Sequence, residues 1–203
     1  MARYTGPRVR ISRRFGVPIF GPTKYLERRN YGPGVHGPKS RRKHTDYGLG
    51  LIEKQKLRYY YGLMERQFRG VYERALRRRG VTGEQMLQIL ETRLDNVAYQ
   101  LGFASTRAAA RQLISHGHVK VNGRRVNIAS YQVRVGDLVE IKESSRQLVV
   151  VIEAAALAER DVPDYIEVDH AKGTAKLTRV PGLSEGPYPT HMEPNLVIEF
   201  YSR

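Results

Sequence analysis

The sequence predicts an α+β protein: a helical N-terminal domain with a basic irregular arm, plus a module of two helices packed on a small, mainly antiparallel sheet. Three observations predict it. Apolar residues recur every three or four positions through much of residues 46–101, the period of a helix buried on one face. From residue 119 to 141 the pattern becomes strand-like alternation around Asn122-Gly123, the strongest short hairpin signal. The first 45 residues hold 12 Lys or Arg against one acid, Glu27, so they cannot pack on themselves.

That first stretch is punctuated by six glycines and five prolines. Arg3, Arg8, Arg10, Arg13 and Arg14 cluster at one end, and Lys39, Arg41, Arg42 and Lys43 at the other. Tyr4, Phe15, Phe20, Tyr25 and Tyr31 are scattered between. The composition fits a disordered basic tail, or an arm that takes its shape on RNA with Arg on phosphates and aromatics on bases or sugars. Residues 46–79 read as two helices. Leu49, Ile52 and Tyr60 fit the first, broken near Gly62. Phe68, Val71, Tyr72, Ala75 and Leu76 form the buried stripe of the second, with Arg66, Arg69 and Arg77 opposite.

Thr82 and Gln85 have capping-box spacing, and Met86, Leu90, Leu94, Val97 and Leu101 lie on one face of the helix behind them. Gly102 supplies a left-handed stop. Ser105 is a good N-cap for the next helix, whose Ala110, Leu113 and Ile114 face inward and which Gly117 ends. A two-residue turn then sets Val121 opposite Arg124 and Lys120 opposite Arg125. Val119, Val121, Val126 and Ile128 share one strand face, with Lys120, Arg125 and Asn127 on the other. Opposed cations repel in an isolated sheet, so the face is either solvated or the seat of an anion. Arg107 and Arg111, one turn apart, join Lys120 and Arg125 in one expected continuous cationic patch. Val133, Val135, Val139 and Ile141 complete the sheet. Residues 144–160 read as a helix, 165–168 and 174–180 as strands, 181–194 as a proline-rich loop, and 196–201 as an apolar closing segment that packs on an earlier part.

The net charge is +15, distributed as +11 over residues 1–45, +8 over 46–125 and −4 over 126–203. A basic front and acidic rear point to a polyanion, with nucleic acid the first candidate. A membrane-surface partner would need an amphipathic basic helix or lipid motif, and neither is evident. There is no cysteine, which excludes disulfides and thiolate zinc sites.

Glu91-Thr92-Arg93-Leu94-Asp95-Asn96, Ala110-Arg111-Gln112-Leu113-Ile114 and Gly117-His118-Val119-Lys120-Val121-Asn122-Gly123, in this order and spacing, resemble the S-four RNA-binding module. The whole chain resembles the bacterial small-subunit ribosomal protein S-four family. Ala2-Arg3-Tyr4, Asp46-Tyr47, Glu53-Lys54-Gln55-Lys56-Leu57-Arg58, Glu65-Arg66-Gln67-Phe68-Arg69, Val126-Asn127-Ile128-Ala129-Ser130-Tyr131 and Leu196-Val197-Ile198-Glu199-Phe200-Tyr201-Ser202 carry that likeness. It implies a structural rRNA-binding protein of the small ribosomal subunit, in the cytoplasm or an organelle. The partners implied are small-subunit 16S rRNA, ribosomal protein S-five and mRNA near its path into the subunit, with no membrane. It implies no enzymatic activity and no cofactor, a site where rRNA helices meet, and a role in decoding accuracy. It also implies insertion of the module into the helical domain. The expected divisions are an arm at 1–45, a helical domain at 46–89 completed by 181–203, and the module with its extension at 90–180. The expected rRNA-facing residues are the arm cations named above, Lys54, Lys56, Arg58, Arg66, Arg69, Arg77, Arg78, Arg107, Arg111, His116, His118, Lys120, Asn122, Arg124 and Arg125.

Two enzymatic resemblances are weaker. Arg93-Leu94-Asp95 is similar to the catalytic motif of pseudouridine synthases, but it sits inside a helix of the module, where pairing of Asp95 with Arg93, Arg107 or Arg111 is the simpler expectation. His116-Gly117-His118 is similar to a synthetase nucleotide signature, without a nucleotide-binding fold before it. Some members of the ribosomal family hold zinc through four N-terminal cysteines. Here Val9 and Ser12 stand at the first pair, and His36 and His44 alone make a poor zinc site. Chelator treatment is therefore expected to leave thermal melting and RNA binding unchanged. Stoichiometric zinc in the purified protein contradicts this.

Overall fold

The computed structural model describes residues 4–21, 23–39, 43–156, 163–169, 173–182, 185–186, 188 and 192–203. Arg3, Arg41 and Arg42 lie outside these residues. The chain divides into two compact units, Met1–Met86 with Pro187–Arg203, and Leu87–Gly186. Among the described residues no helix is long and apolar enough to cross a membrane.

In the first unit, α1 (Arg8–Phe15) and α2 (Lys24–Arg28) stand in the basic arm. They are short, and longer-range contacts hold them. Ile11 and Ile19 are buried. Tyr4, Phe15 and Phe20 gather around Tyr59, with ring centroids 5.3, 6.3 and 6.3 Å away. These aromatics pack on the protein's own tyrosine, where the sequence also allowed RNA bases. Arg13 donates from Nε to the Tyr31 carbonyl at 3.3 Å and from Nη2 to the Gly32 carbonyl at 3.2 Å, so it pins the following loop.

Helix α3 (Asp46–Tyr60) is capped by Thr45, whose Oγ1 accepts from Gly48 N at 3.2 Å. Its buried line is Gly50, Lys54, Leu57 and Tyr60. Leu49 is exposed and Ile52 only half-buried, so the expected stripe is rotated by about one position. The closing helix α9 (Pro194–Ser202) explains the rotation. A Cβ on Gly50 would stand 3.2 Å from the Leu196 carbonyl oxygen and 3.3 Å from Phe200 Cβ, so glycine admits α9 closely. In α4 (Glu65–Leu76), Phe68, Val71, Tyr72 and Ala75 are buried as the period requires. Leu76, expected in that stripe, is exposed because the helix ends on it.

The division between units falls within α5 (Thr82–Glu91). The helix expected to continue to Leu101 breaks at Thr92-Arg93 and resumes as α6 (Leu94–Gln100). Arg93 is extended, at φ −66° and ψ 136°. Residues 129–133 dock into the break: Leu94 N donates to Tyr131 O at 2.8 Å, Asp95 N to Ala129 O at 3.1 Å, and Val133 N to Thr92 O at 2.8 Å. These bonds replace the missing helical ones, which sequence periodicity does not register. Helix α7 (Arg107–Ser115) is capped by Thr106, one residue later than the expected Ser105, through its Oγ1 and Ala109 N at 3.1 Å.

Five antiparallel strands follow: β1 (Val119–Val121), β2 (Arg124–Arg125), β3 (Leu138–Ile141), β4 (Ile166–Asp169) and β5 (Thr174–Leu177), ordered β2-β1-β3-β5-β4. Asn122 and Gly123 have φ 50° and 77°, both positive as a type I′ turn requires. The register Lys120↔Arg125 and Val121↔Arg124 is the expected one. Strand β2 is only two residues long, so the alternation does not reach Ile128, which is exposed. Val135 is likewise exposed in the turn before Gly136, and Val133 pairs with the α5–α6 break instead of the sheet. The helix expected over 144–160 starts later: a single 3-10 turn at Glu143–Ser145 precedes α8 (Val149–Ala156), and 157–160 lie outside the described residues. Leu94, Val97, Ile114, Val119, Val139, Ile141 and Tyr165 share the core of this unit.

One carboxylate ties three helices of the first unit. Glu65 Oε1 accepts from Lys54 Nζ at 2.8 Å and from Tyr201 Oη at 2.7 Å, and Arg58 Nε lies 3.7 Å from Oε2. Burial alone raises this carboxyl's pKa. The hydrogen bonds from Lys54 and Tyr201, with the charges of Lys54 and Arg58, outweigh that and hold it below the usual range. Burial, then the bond to Glu65, pushes the Tyr201 phenol well above its usual range. A carboxyl whose pKa falls on folding contributes stability above its unfolded value and loses it as pH drops through its folded value. The melting difference between the wild type and Glu65→Gln should thus be largest near neutrality and shrink once pH passes below 4.5, the ordinary value. A difference constant with pH contradicts the assignment.

Candidate nucleic-acid interface

The second unit first settles its own charges. Asp95, only 2% exposed, accepts from Arg93 Nε at 3.0 Å and Nη2 at 2.8 Å, a bidentate fork. It also accepts from Arg111 Nε at 2.8 Å and from Arg111 Nη2. The break before α6 makes this possible, because an extended Arg93 can turn its side chain back onto Asp95. Beside it Glu91, also buried, accepts from Asn96 Nδ2 at 2.8 Å and Gln100 Nε2 at 2.6 Å, with Tyr165 Oη at 3.3 Å. Asn96 Oδ1 in turn accepts from Arg107 Nε at 2.8 Å, and the Arg107 guanidinium lies 4.4 Å from the Tyr99 ring centroid.

This corrects the expected continuous patch. Arg111 has a side chain only 11% exposed and is committed to Asp95, while Arg107 lies against Asn96 and Tyr99. The sequence allowed them either a shared patch or a pairing with Asp95, and for Arg111 the fold takes the pairing. Lys120 stands 3.9 Å from Glu140 on β3, a long ion pair on a half-exposed surface. Arg124 and Arg125 are exposed. Arg125 folds back over the α7–β1 corner, where a Cβ on Gly117 would overlap its guanidinium. Gly117 also has φ 77°, so glycine serves both the turn and the close approach of Arg125. His116 is exposed, and His118 is half-buried with Nδ1 2.9 Å from Ser145 Oγ. Asn122 braces the turn, donating from Nδ2 to Asp137 at 2.8 Å and accepting from Leu138 N at 2.9 Å. Of the expected set in this unit, the cations left at the surface are those of the hairpin and its corner.

The cations of the first unit divide the same way. Lys54 is buried, between Glu65 and the Phe200 ring 4.9 Å away, and is withdrawn from the expected RNA-facing set. Its neighbours on α3 are also engaged. Lys56 pairs with Glu53 at 2.5 Å. Arg58 donates to Gln55 at 2.7 Å and lies over the Tyr59 ring at 4.3 Å. Arg13 is occupied by the Tyr31 and Gly32 carbonyls. Arg8, Arg10, Arg14, Lys39, Lys43, Arg66, Arg69, Arg77 and Arg78 are exposed. Arg69 reaches Glu73 at 3.3 Å, a surface pair of small energetic weight. The pairing of Asp95 with Arg93 and Arg111 is among those the sequence suggested, whereas Gln100 and Tyr165 as partners of Glu91 were not legible. Among the described residues no cluster of three or more His, Asp or Glu could hold a metal.

Comparison with known proteins agrees with the module's geometry. The family described as "Ribosomal protein S4/S9 N-terminal domain" matches residues 3–91, and the "S4 domain" matches 92–139. The chain is 56% identical over 205 residues to "Small ribosomal subunit protein uS4" of Methylorubrum populi, covering 100% of both. It is 59% identical over 196 residues to the protein of that name from Methylobacterium radiotolerans, covering 96% of each. To that from Brucella ovis it is 55% identical over 205 residues, covering 100% of both.

Removing one partner of a buried ion pair strands the other, at a cost of about 3–5 kcal/mol. Asp95→Asn leaves two buried guanidiniums facing a neutral amide and should lower the unfolding free energy by about that much in denaturant titration. A change below about 1 kcal/mol shows that the cluster is not holding α6 and α7 together.

Proposed function

The chain belongs to the small ribosomal subunit protein uS4 family, a family of structural, non-enzymatic ribosomal proteins, and on that premise we propose that it is a primary rRNA-binding protein that nucleates assembly of the subunit body. Its target is a place where several helices of 16S rRNA meet. In this reading residues 46–89 with 181–203 act as one helical domain, and 90–180 as the RNA-binding module with its helix and strand extension. Ribosomal protein S-five is a neighbour, mRNA passes nearby on its way into the subunit, and the contacts bear on decoding accuracy in a cytoplasmic ribosome.

The observation that carries the reading is the separation of cations into two populations. Arg93, Arg111 and Lys54 are buried or nearly so on carboxylates. Arg124, Arg125, Arg66, Arg69, Arg77 and Arg78 project from rigid elements or their ends, with side chains outside the cores. Exposed arginines on a braced scaffold suit phosphate recognition, because the planar fork bridges two oxygens and loses little entropy on binding. The occupied set positions; the exposed set binds.

Binding to protein-free small-subunit rRNA should weaken by orders of magnitude over a few-fold rise in salt. Replacing Arg124 and Arg125 with Gln should leave melting unchanged, weaken binding, and reduce the log–log salt slope by about one for each phosphate no longer neutralised. Unchanged affinity and slope show that the hairpin face is merely solvated. Loss of folding shows that these side chains belong to the core.

A further inference from the structure

The loop Tyr31–Gly37 is the exposed feature that neither the buried clusters nor the hairpin face uses. Its two ends touch: a Cβ on Gly37 would overlap the Gly32 carbonyl oxygen, so only glycine closes it there. Arg13 reaches the loop base through the Tyr31 and Gly32 carbonyls, with its guanidinium 4.9 Å from the Tyr31 ring centroid. Gly37 N donates to Gly34 O at 3.2 Å, and Gly34 has φ 94°. Pro33 and Pro38 stiffen both flanks. A compact loop with joined ends and its own packing is a preorganised surface element.

At its apex stands Val35, 92% exposed, beside an exposed His36. A single exposed valine is ordinary on a protein surface. Here it tips a closed, tethered loop, and the stretch of sequence that carries the loop is strongly cationic. Residues 28–45 contain six Lys or Arg and no acid. That charge favours a polyanion over a protein as occupant. Tyr31, with Arg13 over its ring, is still 39% exposed.

We propose that the Tyr31–Gly37 loop is a preformed RNA wedge: Val35 enters an irregular, unstacked site in structured rRNA, and the exposed part of the Tyr31 ring stacks on a freed base. Apolar side chains inserted at base steps exploit places where stacking is already broken, and single bases stack on aromatic rings. Regular duplex offers no such opening, so the loop supplies shape selectivity to a surface whose charge alone does not discriminate. This rests on the reading of the chain as an rRNA-binding protein.

The test compares the wild type with Val35→Ser, which alters only an exposed side chain, and with Gly37→Val, which opens the loop. The probes are protein-free small-subunit rRNA and a regular duplex RNA. Val35→Ser should keep its melting curve, duplex binding and salt slope. On rRNA it should lose roughly ten-fold in affinity, the scale of one base contact. It should also return a small set of nucleotides, altered by the wild type in chemical probing, to their free reactivity. Gly37→Val should lose the same protections. Both variants matching the wild type in affinity and footprint overturn the wedge and leave rRNA binding standing. A photo-crosslinker at position 35 in assembled subunits should capture RNA, and capture of a protein instead also overturns it. Failure of the wild type to bind rRNA overturns both readings.

Discussion

Folding this chain draws together fifteen positive charges in excess. Self-repulsion of that size destabilises a compact state unless cations are paired or spread into solvent. The protein does both. Asp95 lies between Arg93 and Arg111, Glu65 receives Lys54 and lies near Arg58, and Arg107 rests on Asn96 and Tyr99. Each arrangement also joins separate elements of the fold. The Asp95 cluster links the α5–α6 break to α7, and the Glu65 cluster links α3, α4 and α9. Desolvating these charges is costly, and dense hydrogen bonding offsets the cost.

The consequence for function is geometric. Buried ion clusters fix α7 and the hairpin behind it, so Arg125 folds onto Gly117 and Arg124 stands at the edge of the sheet. On α4, the buried line of Phe68, Val71, Tyr72 and Ala75 turns Arg66 and Arg69 outward, and Arg77 stands exposed past its end. Side chains held by rigid backbone lose less entropy on meeting phosphate than those on a tail. The aromatic cluster on Tyr59 and the Arg13 tether likewise hold part of the arm in place.

Elements set by local chemistry were legible in the sequence. The hairpin register follows from Asn122-Gly123, the α4 stripe from its period, and the ends at Gly102 and Gly117 from their positive φ. What depended on distant partners was not. The break at Thr92-Arg93 exists because residues 129–133 supply substitute hydrogen bonds, while the apolar period runs through it unchanged. Lys54 reads as a surface cation until Phe200 and Glu65 cover it. Helices α1 and α2 are too short to be favoured by their own sequence and rest on tertiary contacts. Basic residues were recognisable as a class, but their division into structural and exposed members is a property of the fold.

That division is open to direct measurement by arginine-selective chemical modification read by mass spectrometry, on the free protein and on its complex with small-subunit rRNA. Arg93 and Arg111 should be unreactive in both states. Arg66, Arg124 and Arg125 should react in the free protein and become protected in the complex. An Arg111 that reacts freely alone and is shielded only by RNA, or an Arg124 and Arg125 pair as reactive in the complex as without it, contradicts the account.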